Sequence, residues 1–394
     1  MSRRLQLDLI PMWHNSVAGE SILFAELYAE PSMHIQRSFR LLARPLFAAA
    51  LALGLFAATR PAVAQPGAPA GRSSTAGLEK PYHILARWKL ADPGWWDYLH
   101  VDSLAHRLYL TRGDHVDVLD TGTGKQVGVI AGLHGTHGVA LDTAGKYGYI
   151  SDGGSNAVVV FDRKTLATVA TIPAGTGPDG IIFEPATQTV WAFNGRSHDA
   201  TVVSAATQKV VATIPLPGKP EFPQVDGKGN VYDNIESTSE VVRLDARSLK
   251  LTATWPAGCE SPSGLAIDTA AHRLFTVCDG KKMAVLDYTT GKVLATPAIG
   301  DGPDAARYSA RHKLAFASCG EGVLSVVDAA KPHYPTIQTL PTQRGARTMA
   351  YDPATDTIYL VTADFGPRPA PTPENPRPRP AMVPGTFTVI VVGR

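Results

Sequence analysis

VVVFDRKTLATVATIPAGTGPDGIIFE, residues 158–184, carries the pattern that decides the fold. VVVFD (158–162) reads as a buried strand ending in an acid, and LATVATIP (166–173) as an alternating one. GTGPDG is a loop, and IIFE (181–184) opens the next strand. Outward from this stretch the order repeats. The apolar-then-acidic IIFE recurs as LHVD (99–102), VALD (139–142), PQVD (223–226), LAID (265–268) and MAYD (349–352), with a degenerate ARYS at 306–309. Its copies start 40, 42, 42, 42, 41 and 43 residues apart. VVVFD recurs as VDVLD (116–120), VVRLD (241–245), MAVLD (283–287) and LSVVD (324–328). Four short strands per 40-to-45-residue period mark a β-propeller blade. Seven copies predict an all-β, seven-bladed β-propeller over residues 81–394.

The two ends are complementary. The last copy supplies three strands, closing with TFTVIVV (386–392), while HILARWKL (83–90) precedes the first copy and matches a fourth strand. The N-terminal strand is therefore expected to join the last blade and close the ring, which removes two sheet edges. A solenoid would need polar caps instead.

IPAGTGPDG (172–180), after a D-x-x-T-x-x-x-x-A-T run, resembles the signature of YVTN-repeat propellers, the YncE-like proteins of bacterial periplasm and archaeal surface layers. Related versions stand at 214–222 (IPLPGKPEF), 256–264 (PAGCESPSG) and 298–305 (AIGDGPDA). The resemblance covers roughly 81–394 and implies the fold and a periplasmic or secreted location. Function follows only in outline, because the shared residues serve turns and packing. The family is also similar to lactonase-type propellers, which implies metal-dependent hydrolysis as one chemistry to weigh. Single-stranded DNA binding, reported within the YncE-like group, requires aromatic platforms and a basic groove.

Residues 33–64 read as a secretory signal: Arg37, Arg40 and Arg44, then the apolar run LFAAALALGLFAA (46–58), then AVA at 62–64. The run is shorter than the roughly 20 residues of a membrane-spanning helix, so no span is expected in the mature chain. Residues 1–32 have no assignable role, and Met33 is the expected initiator. Residues 65–80 read as a flexible leader of small and polar residues. Six arginines, no lysine and four acids fall in residues 1–64, which leaves 31 basic against 31 acidic residues beyond. A balanced mature chain without a basic stripe argues against nucleic acid as a partner.

Acids at 102, 142, 226, 268 and 352 open one class of turn, and those at 120, 162, 245, 287 and 328 open another. Recurring in most blades, they are architectural, bonding backbone N–H groups of their own turns. The loops of the opposite face do not repeat, and variable loops on a fixed scaffold are where binding specificity sits. One aligned column there reads Asp97, His137, Asp179, Glu221, Ser263, Asp304 and Arg347, which the repeat geometry places around one mouth of the central channel. Such side chains pair with one another, bind a polar organic ligand, or hold a divalent cation: Ca, Mg, Mn or Zn. His137, Asp179, Glu221 and Asp304 are the candidate metal ligands, and His137 and Asp179 the candidate bases of a hydrolase. The alternative is a water-filled channel with a solvated polar lining.

Trp95 and Trp96 adjoin Asp97 and serve either ligand stacking or packing between blades. His134 and His137 form an H-x-x-H pair in a loop. Arg344 and Arg347 suit a carboxylate or phosphate, or pair with Asp97 or Asp304. No G-x-S-x-G or C-x-x-C motif occurs. Of three cysteines, Cys259 and Cys278 are a reasonable disulfide in an exported protein; a Cys278–Cys319 bond and three free thiols are the alternatives. A Pro-rich insertion at 366–384 interrupts the last blade and reads as a lid, a docking strand or a solvated loop. The chain is expected to act as a monomer that binds a small polar ligand or a periplasmic protein through its loop-rich face, with a metal-dependent hydrolase as the alternative.

Overall fold

The second and third strands of each repeat are apolar on both faces, which requires a neighbour on each side. The computed structural model, which describes residues 74–75, 80–90, 94–372, 378 and 380–394, stacks them between adjacent blades. Trp191 and Phe193 on Thr189–Asn194, and Val158, Val160 and Phe161 on Ala157–Asp162, are all buried. Fourth strands such as Lys209–Pro215 and Lys250–Pro256 carry exposed residues and form the rim. Seven four-stranded antiparallel sheets result. Blades 1 to 6 begin at Leu99–Asp102, Thr136–Leu141, Pro178–Glu184, Pro220–Val225, Pro262–Asp268 and Pro303–Ser309, and these first strands line the channel. Blade 7 consists of Met349–Asp352, Thr357–Thr362, Thr388–Gly393 and, from the other end of the chain, His83–Lys89.

That last pairing runs from His83 opposite Gly393 to Lys89 opposite Thr388, so the ring closes as expected. Tyr82 anchors the closing strand to blade 6 as well. It is 1% exposed, its ring meets Phe316 edge-on at 5.2 Å, and its backbone exchanges hydrogen bonds with the Gln338 side chain at 3.0 and 2.7 Å. Within the stretch read as a leader, Ser74–Thr75 adds a short fifth strand to the outer edge of blade 6, pairing with Thr339 and Gln338. The targeting segment 1–64 lies outside the described residues.

The repeating acids bond their own turns. Asp142 accepts from the backbone N–H of Tyr147 at 2.9 Å, Asp162 from Thr165 at 2.8 Å and Asp245 from Ser248 at 2.7 Å. These hydrogen bonds hold the Asp162 and Asp245 carboxyls below the usual range. At the Pro-rich insertion, Phe365 bridges Met382, and 373–377 and 379 lie outside the described residues. Among the described residues no helix is long and apolar enough to cross a membrane.

Cys259, in the loop entering blade 5, is bonded to Cys278 at the end of that blade's second strand, while Cys319 is a buried free thiol. The bond closes a loop of 19 residues' separation, for which chain entropy gives about 3 kcal/mol. Urea unfolding with and without reductant is expected to differ by about that amount. Unfolding without reductant should expose a single alkylatable thiol, and two or three reactive thiols would refute the bond.

Candidate functional site at the channel mouth

All seven residues of the aligned column line one cavity of about 520 Å³ at the mouth of the channel. Two local devices bring them there. Glycine follows the column residue in blades 2, 3 and 5, and it permits close approach of the first strands. A Cβ on Gly180 would lie 2.5 Å from the Glu221 carbonyl oxygen, and one on Gly264 2.5 Å from the Ala305 backbone. A polar peg on the second strand then holds the backbone of the next blade's column residue. Thr111 donates to the His137 carbonyl at 3.2 Å and Asn234 to that of Ser263 at 2.6 Å. The Ser151 hydroxyl donates to the Asp179 carbonyl and that of Ser318 to the Arg347 carbonyl. Ser263 itself caps the Pro303 carbonyl at 3.1 Å.

The charges sort into three groups. His137 Nδ1 lies 2.6 Å from Asp97 Oδ2 and 3.5 Å from Asp179 Oδ1. Lys219 donates to Glu221 at 2.8 Å and also to Glu236. Arg347 Nε stands 3.3 Å from Asp304 Oδ2. With Asp279, six carboxylates face three cations across this cavity, so the mouth is negative. Lys219 and Glu236 lie off the aligned column, and the repeat comparison passes over them for that reason.

These surroundings move protonation. Burial alone would discharge His137, but the hydrogen bond to Asp97 and the charges of Asp179, Asp97 and Glu221 raise its pKa to about 9. Burial and Glu221 push Asp179 well above the usual carboxylate range. Asp304 is raised to about 7 by burial against the opposing pull of Arg347. His137 thus holds a proton at neutral pH, which suits a proton donor and not the general base expected of it. Its contribution to stability is complete below about pH 6.5 and is lost as pH rises through about 9.

Of the four expected metal ligands, His137 and Asp179 stand together and Asp97 joins them, with one donor atom from each within 4.8 Å of the others. Asp179 Oδ1 is buried and accepts no hydrogen bond. Two carboxylates and an imidazole with a spare buried oxygen fit a divalent cation. Glu221 and Asp304 are engaged by Lys219 and Arg347 instead. Trp96 packs on Phe387 and Phe365 at 5.2 and 6.0 Å, whereas Trp95 remains 49% exposed at the rim. His134 contacts Ser155 at 3.3 Å and is not part of the cluster. Arg344 lines an adjoining groove with Phe365 and Arg368.

Solved structures share this architecture. A Kuenenia stuttgartiensis hydrazine synthase chain superposes with a TM-score of 0.61 at 16% identity, covering 69% of this chain and 94% of its own. A chain described as U3-55K gives a TM-score of 0.64 at 10% identity, covering 78% and 98%. At such identities they show the fold alone. No protein-family model and no curated protein matches the chain.

Proposed function

We propose that the chain is an exported, YncE-like β-propeller whose channel mouth binds a small polar ligand of net positive charge. The first occupant to test is a divalent cation at Asp97, His137 and Asp179. The observation that carries this reading is the convergence of the seven polar side chains of the aligned column on one negative cavity. Export is supported by the signal-like sequence at 33–64 and by the Cys259–Cys278 bond, since disulfides persist in oxidising compartments. A metal-dependent hydrolase is the second reading. It is favoured by the room beside the cluster, where a bound cation would leave space for water and a substrate carbonyl within the 520 Å³ mouth.

The test is calorimetric titration with Mn²⁺ and Zn²⁺. Metal ligation must displace the proton that His137 holds up to about pH 9 and any that the raised Asp179 carboxyl holds, so affinity is expected to rise at least about tenfold per pH unit between about pH 6 and 8. Asp179→Asn is expected to abolish binding while the fold survives, because the peg from Ser151 holds the backbone and not the carboxylate. No divalent binding at pH 9, with titrations of the variant and wild type alike, would overturn the cation assignment.

A further inference from the structure

One residue further down their strands than Asp97 and Glu221, Tyr98 and Phe222 meet edge to face at 4.8 Å. They border a second cavity, of about 280 Å³, lined by the first strands. Its chemistry is the reverse of the mouth's. Arg307 of blade 6 reaches into it, with one hydrogen bond to the Ala306 carbonyl at 2.8 Å and its guanidinium 4.9 Å above the Phe222 ring. Among the described residues no carboxylate pairs with it. Desolvation without a neighbouring anion lowers its pKa to about 10, and desolvation together with Arg307 pushes His100, in the same chamber, down to about 4. At neutral pH the chamber therefore holds a single uncompensated positive charge.

A partly buried charge with no carboxylate beside it gains little from the fold, and a guanidinium keeps a rigid fork of N–H donors shaped for a carboxylate. Across the ring, Val139, Leu141, Ile181 and Phe183 of blades 2 and 3 border the same space, their side chains packed in the cores between blades. One wall is cationic and the facing wall apolar. We propose that this chamber binds a small monocarboxylate with an apolar body, its carboxylate forked by Arg307 and its body against Val139, Leu141, Ile181 and Phe183. At about 30 Å³ per water, the space matches roughly nine waters, which limits the ligand to about ten non-hydrogen atoms. The assignment is independent of what occupies the mouth.

Calorimetric titration of the exported protein with benzoate and butyrate tests it, with benzamide as the neutral counterpart of benzoate. Benzoate is expected to bind at least tenfold more tightly than benzamide, because only the carboxylate answers the fork. Arg307→Met should weaken benzoate at least tenfold. Without ligand it should melt at or above the wild-type temperature, since it removes a charge that nothing in the fold neutralises. Arg307→Lys keeps the charge without the fork, and an intermediate affinity is expected. The proposal is overturned if wild type binds neither acid at millimolar concentration, or if benzoate affinity survives Arg307→Lys and Arg307→Met. It is also overturned if Arg307→Met melts well below wild type or fails to fold, which would make the guanidinium a structural group.

Discussion

A chain lacking residues 81–92 is expected to lose its cooperative fold, whereas one lacking 368–379, also twelve residues, should melt within about 3 °C of wild type. The first deletion removes the outer strand of blade 7 and bares the Thr388–Gly393 strand, whose residues are all buried. It also takes away Tyr82, which is fixed to blade 6 through Phe316 and Gln338. Truncating one buried aromatic costs about 3–5 kcal/mol, so Tyr82→Ala alone should lower Tm by on the order of 10 °C. The whole deletion opens the ring and creates an unpaired edge that favours aggregation. The control deletion falls in the Pro-rich insertion, where 368–372 are exposed and outside the sheet and Pro378 is the single described residue that is buried. Thermal melts of wild type and the three variants decide the matter, and equal Tm values for the two deletions would refute closure by the N-terminal strand.

Replacing Asp233 with Val is expected to stabilise the protein by about 2–3 kcal/mol at pH 7.5 and by much less at pH 4. Asp233 lies mid-strand in Asn230–Ile235 of blade 4, fully buried, and neither carboxylate oxygen makes a well-formed hydrogen bond. Burial, with Glu221 and Asp179 nearby, pushes its pKa well above the carboxylate range, and the Glu221 backbone N–H offsets this only in part. Because the folded pKa exceeds the unfolded value of about 3.9, the unfolded chain gives up this proton first. The penalty therefore grows as pH rises from about 4 toward the folded pKa. Urea unfolding of wild type and Asp233→Val at both pH values measures it. A variant less stable than wild type at pH 7.5 would mean that the carboxyl supports the mouth behind which it sits.

What the sequence disclosed and what it concealed divide along the repeat. Anything that recurs at the 42-residue period was open to reading: the blade count, the turn acids and the column from Asp97 to Arg347. Even the ring closure followed, because one end lacked the strand that the other had spare. Features outside the period were hidden for physical reasons. Lys219 and Glu236 reach the mouth from loop positions where the other blades carry different residues, Gly177 and Ser261 standing where Lys219 does. Asp233 shares its strand with the polar Asn230 and Asn234, and only the folded neighbourhood reveals that its charge has no outlet. Arg307 stands in ARYS, the one copy that breaks the apolar-acidic signature, and that irregularity marked the residue without saying what it faces. The protonation of His137 depends on distances to carboxylates 40 and 42 positions away, which spacing alone does not supply.

The pegs from Thr111, Ser151, Asn234 and Ser318 grip a carbonyl, the one group that all twenty residue types share. An anchor of that kind is indifferent to the side chain it positions. Aspartate, histidine, serine and arginine consequently occupy the same socket without any change to the frame, and a single codon change re-specifies one station of the ring while its neighbours stay in place. The architecture thereby separates inheritance of shape from inheritance of recognition. Chains of this build are free to drift from one ligand to another through individually tolerated steps, and a designer has four pegged positions at which to do the same.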